Sequence, residues 1–152
     1  MNERCNTSCS FVAKLTTNVL FGNFAAFAVS LKFDVDPKVN DDAFSMTATF
    51  TLGPTSNGIA PLTEAVTVQV GTFSTTIPAG SFRLKKGQYT FAGIINGTKL
   101  TAVLKPLILG NDYSFTAVGL RTDLTGTVNP VTVGLTIGGD SGSTAVTATE
   151  WE

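Results

Sequence analysis

Two short segments of this 152-residue sequence gather residue types that could do chemistry. Gly139-Asp140-Ser141-Gly142 sets a serine among small residues, the setting of an accessible nucleophile. A serine hydroxyl needs a base to take its proton. The sequence contains no histidine, and a lysine base would need its own buried pocket. The segment therefore reads as a glycine-rich turn between two strands. The second segment is Asp34-Val-Asp36-Pro-Lys-Val-Asn40-Asp41-Asp42, with four carboxylates and an amide in nine residues. Calcium takes six to eight oxygens, mostly carboxylate and carbonyl, often from one loop. Asp34, Asp36, Asn40, Asp41 and Asp42 are thus the candidate ligands of a Ca²⁺ site. Pro37 and Lys38 stand where further donors would be wanted and no glutamate follows to close the cage, so the spacing is not that of an EF-hand. The competing reading is a solvated acidic turn.

Other candidates are weaker. Arg83, Lys85 and Lys86 flank Gly87 and form either a basic patch for a polyanionic glycan or the charged tip of a hairpin. Sugar platforms favour Trp and Tyr. Here the aromatics are eleven Phe, two Tyr and one Trp, Trp151, so they read as core. Glycoside hydrolysis needs two carboxylates facing across a cleft, and strand parity brings no such pair together. Cys5 and Cys9 are too few for a zinc site. They form a small disulfide loop or stay reduced in an N-terminal tail, and the reduced tail is preferred. No catalytic residue and no cofactor other than Ca²⁺ is assigned, and the expectation is a protein that is not an enzyme.

The elements that must position such residues are strands. Apolar and polar residues alternate with period two, the signature of a half-buried strand. Phe27, Val29, Leu31, Phe33 and Val35 share one parity; so do Phe44, Met46, Ala48, Phe50 and Leu52. Val66, Val68 and Val70 are followed, after a phase slip at Gly71, by Phe73, Thr75 and Ile77. A glycine at a phase slip suggests a bulge or a bend between sheets. Asn96-Gly97 is a strong hairpin signal. Pro106 should end its strand. Val131 to Ile137 and Thr144 to Trp151 complete about nine or ten strands, and nothing reads as a long amphipathic helix. The spacing fits an antiparallel β-sandwich with Greek-key or meander connections, with a β-barrel as the alternative.

Charged residues are only 14% of the chain, against roughly 25% in an ordinary soluble domain, and the net charge is −1. No field would attract nucleic acid. In place of charge there are 24 threonines, which suit a pleated surface and keep an exposed face wet. Strands so short of charge lack the usual protection against edge pairing.

Residues 1–13 read as an irregular tail and 14–152 as one domain. The apolar run from Val19 to Leu31 is too short and too interrupted to span a membrane. It is either a signal-like segment with Ala26-Phe27-Ala28 as its cleavage box or, preferably, a strand pair turning at Gly22-Asn23. Residues 14–33 could form an edge strand, or a strand donated to a neighbour's sheet.

Four stretches, FSTTIPAGSF (73–82), YTFAGIING (89–97), DLTGTVNPVTV (123–133) and IGGDSGST (137–144), resemble an uncharacterised β-rich domain of hypothetical bacterial secreted or surface proteins. The resemblance covers the C-terminal half. It implies a β-fold and an extracellular or cell-surface location, and no activity. With composition and patterning it leads to an expected structural protein that associates with copies of itself, as fibre, filament or surface-layer subunit. The alternative is a non-catalytic module of a secreted assembly that binds glycan or Ca²⁺.

Overall fold

The computed structural model describes residues 23–35, 41–108 and 110–150. Eleven strands follow in chain order: β1 (Ala26–Asp34), β2 (Asp42–Thr51), β3 (Val66–Val70), β4 (Phe73–Ile77), β5 (Arg83–Lys85), β6 (Gln88–Ile95), β7 (Thr98–Pro106), β8 (Asp112–Thr122), β9 (Val131–Ile137), β10 (Asp140–Val146) and β11 (Thr149–Glu150). There is no helix among the described residues, and so none long and apolar enough to cross a membrane.

The strands form two packed sheets. The larger has the order β11-β1-β2-β8-β7-β6-β5 and the smaller β10-β9-β3-β4. All pairings are antiparallel except the two-residue contact of β11 with β1. The architecture is a β-sandwich, not a closed barrel. β5 to β8 run as a meander, and β2 lies beside β8 although sixty residues separate them, roughly, in sequence.

Alternation puts one parity of each strand between the sheets. Phe44, Met46, Ala48 and Phe50 of β2 are buried, and the residues between them face outward. From β2 to β6 large and small residues alternate in one row of the larger sheet. Phe33, Phe44, Gly119, Leu100 and Gly93 are opposite one another in register. The ring of Phe44 lies where a Cβ on Gly119 would stand. Facing these, the smaller sheet contributes Val66, Val68, Val70, Val133, Leu135 and Ile137, all buried.

Tight turns keep this register. Asn96 and Gly97 have φ of 50° and 84°, the left-handed pair that a two-residue hairpin requires. Gly71, with φ of 57°, starts a two-residue turn between β3 and β4 of the same sheet. The phase slip is therefore a hairpin, where a bulge or a bend between sheets was expected. The parity on both sides of it stands as read. The bulge lies elsewhere, between Asp42 and Ala43 of β2, where Arg121 of β8 is the extra residue with φ of 60°. Val35, expected on the inner face, lies beyond the end of β1 and is exposed.

The two lateral sides of the sandwich differ. On one side the chain enters beside β10 and crosses to β1. The Phe24 N–H donates to the Ser141 carbonyl at 2.7 Å and the Ala25 N–H to the Thr51 carbonyl at 2.8 Å. Phe24 stacks on Phe50, with centroids 4.4 Å apart, and fills the space above Gly142. The Asn129 amide donates to the Ala148 carbonyl at 3.1 Å and accepts from its N–H at 2.8 Å, guiding the chain from β10 to β11. This side is closed. On the opposite side β4 lies against β6, and no strand among the described residues pairs with the outer edge of β4.

Candidate functional site

The open side is a mismatch of width. Six antiparallel strands lie opposite four; β4 lies against β6, and β5 is left beyond the edge formed by β4. The inward parity of β6, Tyr89, Phe91, Gly93 and Ile95, is only half-buried. Leu84 of β5, opposite Tyr89 in register, is 55% exposed. Phe82, after the end of β4, is buried and tilts against Phe91 with centroids 6.1 Å apart, covering one end of the seam.

At the other end lies a cleft of about 360 Å³ between β4 and the β6–β7 turn. Phe73 forms part of its wall and leans on Phe44, centroids 5.6 Å apart. Ile95 faces it from β6, with Asn96 and Gly97 at the rim. Thr75 stands in the same inner row as Val68 and Leu135. It is 7% exposed, lines the cleft, and its hydroxyl has no hydrogen-bond partner among the described residues. A hydroxyl in a core row of an edge strand is a polar group waiting for a neighbour.

The remaining wall comes from the bulge. Arg121 is thrown outward at the extra position, and the Thr98 hydroxyl donates to its carbonyl at 3.4 Å. Asp123 is exposed, and hydrogen bonds from Thr125, side chain first and then backbone N–H, hold its carboxyl below the usual range. The cleft presents hydroxyls, an amide, one guanidinium, the Asp123 carboxylate and the edges of Phe73 and Ile95.

The sequence-predicted ligands are divided. Asp34 and Asp41 are exposed, and Asp36 and Asn40 lie outside the described residues. Asp42 is 1% exposed. Its Oδ2 accepts from the Leu124 N–H at 2.6 Å, and its carbonyl accepts from the Thr122 hydroxyl at 2.8 Å. Asp34 pairs with Ala43, on the outward parity, whereas Asp42 has the inward parity. The two carboxylates thus belong to opposite faces. No cluster of three or more metal-ligating side chains is present among the described residues.

The Gly139–Gly142 segment also separates. Gly138, with φ of 58°, opens the hairpin turn, and β10 begins at Asp140. Asp140 points inward beside Ile137 and is 1% exposed, with neither carboxylate oxygen hydrogen-bonded among the described residues. Ser141 has the opposite parity. Arg83 and Lys85 lie on the exposed three-residue β5, and Lys86 with Gly87 makes its turn, with φ of 53° and 78°. Both tyrosines are half-buried, and Cys5, Cys9 and Trp151 lie outside the described residues.

Sequence reasoning placed Phe73 and Thr75 in one alternating strand but did not bring them together with Ile95. The one available signal was a threonine on an inward parity. No family model, no curated protein and no solved structure matches the chain.

Proposed function

We propose that this protein is a non-catalytic structural subunit that acts by associating with copies of itself at the cell surface or outside the cell. The observation that carries the reading is the open seam. An uncharged edge strand, β4, borders a half-exposed apolar face on β6. Edges are ordinarily blunted by charge, proline, a bulge or a cover. β5 follows that rule, with three residues of which two are cations. β4, Phe73-Ser74-Thr75-Thr76-Ile77, carries no charge, proline or bulge, and no strand among the described residues covers its outer edge. The outer faces fit the same reading. The centre of the larger sheet presents Ser30, Thr47, Thr116 and Val103 in one row, and Thr67 and Thr76 share a 2.9 Å hydrogen bond on the smaller sheet. Such surfaces are neutral enough to meet another copy without electrostatic cost. The surface location rests on the resemblance and the composition.

The test is the assembly state of the purified full chain, by multi-angle light scattering and negative-stain microscopy. The expected result is concentration-dependent growth into filaments or layers. A monomer that persists to millimolar concentration removes the reading.

A further inference from the structure

We propose that residues 15–21 of one copy add as a fifth strand to the free edge of β4 in the smaller sheet of a second copy. The inference rests on the self-association reading and assigns its donor and its acceptor.

The acceptor follows from the edges. Of the outer strands, β11 has two residues, β5 is short and cationic, and β10 is flanked by the incoming chain at Asn23 and Phe24. β4 alone among these is five residues long, uncharged and unpaired on its outer side within the described residues. A fifth strand there would extend the narrower sheet past β6 toward β5. It would cover Phe91 and Ile95 and bring backbone groups and an inward side chain to the Thr75 hydroxyl. Strand addition uses main-chain hydrogen bonds for affinity and alternate side chains for specificity.

The donor follows from pattern and from reach. Leu15, Thr17, Val19 and Phe21 share one parity against Thr16, Asn18 and Leu20, with no charge in the segment. Seven extended residues span about 23 Å, enough to pair the whole of β4. The segment joins the described fold at Asn23, which bridges to Ser141 on the outer side of β10. That is the far edge of the same sheet, in the order β10-β9-β3-β4. From beside β10 to a position beside β4 is five strand spacings, about 24 Å. Phe21 is two residues from Asn23 and reaches at most about 7 Å. A strand that includes Phe21 therefore cannot lie on its own β4, and only a second copy supplies the edge. A donor rooted at one edge and an acceptor at the other make a head-to-tail contact, which grows open-ended when the rotation does not close.

Two full-length variants test this. Val19→Lys with Phe21→Lys disables the donor and leaves the acceptor intact; Thr75→Lys places a charge in the acceptor and leaves the donor intact. Circular dichroism checks their folding, and Ile95→Lys replaces Thr75→Lys if the latter misfolds. Each variant alone should lose all polymer and run as a monomer. Mixed in equal amounts, they should give one species of twice the monomer mass, because one working donor meets one working acceptor. Thr75→Val, which keeps the shape, should still assemble. If the unmodified chain polymerises but the mixture stays monomeric, or either charged variant polymerises alone, the donor–acceptor assignment is overturned and self-association stands. If the unmodified chain never assembles, self-association itself is overturned.

Discussion

Asp42 takes a carboxylate into the end of the sandwich, and its surroundings say why that is tolerated. A buried charge is costly unless hydrogen bonds replace the water it loses. Here the Leu124 N–H meets Oδ2 at 2.6 Å and the Thr122 hydroxyl meets the carbonyl of the same residue at 2.8 Å. Both donors follow the Arg121 bulge, so Asp42 fastens the chain just where it leaves the regular ladder. Hydrogen bonds to a charged group contribute about 1.5–3 kcal/mol, and removing one partner strands the other. Asp42→Ala is expected to lower unfolding free energy by about 2–3 kcal/mol, and Asp42→Asn by less, since an amide oxygen still accepts. Urea denaturation measures both, and a loss below about 0.5 kcal/mol for alanine would contradict this role. The residue was legible in the sequence as one of a cluster of acids, with calcium as the inferred partner. Composition could show that oxygen donors were close in sequence. It could not show that alternation turns Asp34 and Asp42 to opposite faces, or that the amide of a residue 82 positions on would hydrogen-bond one of them.

At the scale of elements, alternation was enough to place the inward side chains of β1, β2, β3, β4 and β9, because one parity must leave water whatever the neighbouring strand is. The Asn96-Gly97 turn and the end of β7 at Pro106 were legible for equally local reasons, a left-handed backbone and a missing N–H. Pairing was not. That β2 lies against β8 depends on how whole faces fit. The fit is visible at Phe44, whose ring fills the space above Gly119, with Cδ1 only 2.9 Å from where a Cβ would stand. A buried ring between two sheets has nowhere to go, and overpacking of this kind costs about 1–3 kcal/mol. Gly119→Ala is therefore expected to destabilise by about that amount, although alanine suits a strand better than glycine does. Gly119→Ala combined with Phe44→Leu should recover part of the loss in a double-mutant cycle, and purely additive effects would mean that the two side chains do not share the site. The bulge at Arg121 left no trace in the sequence, for no glycine marks it.

At the scale of the whole molecule the features combine into a statement about forces. The net charge is −1 with charged residues at 14% of the chain, and neither β4 nor residues 15–21 contain any. Width mismatch between the sheets, which no local pattern encodes, leaves Phe91 and Ile95 half-buried and Leu84 exposed among the described residues. Association at that seam would draw on main-chain hydrogen bonds and apolar burial, and hardly at all on ion pairing. Screening shortens the reach of exposed charges from roughly 10 Å at 0.1 M salt to a few ångström at 1 M. A charge-driven interface would weaken severalfold over that range. An apolar one would not, and an excluded salt such as sulfate would strengthen it. The critical concentration for assembly is accordingly expected to change by less than about twofold between 0.1 and 1 M NaCl and to fall in ammonium sulfate at matched ionic strength. Sedimentation of the polymer across both salt series measures it. A steep rise in critical concentration with NaCl would place the contact at Arg83, Lys85 and the acidic loop instead of at the uncharged edge.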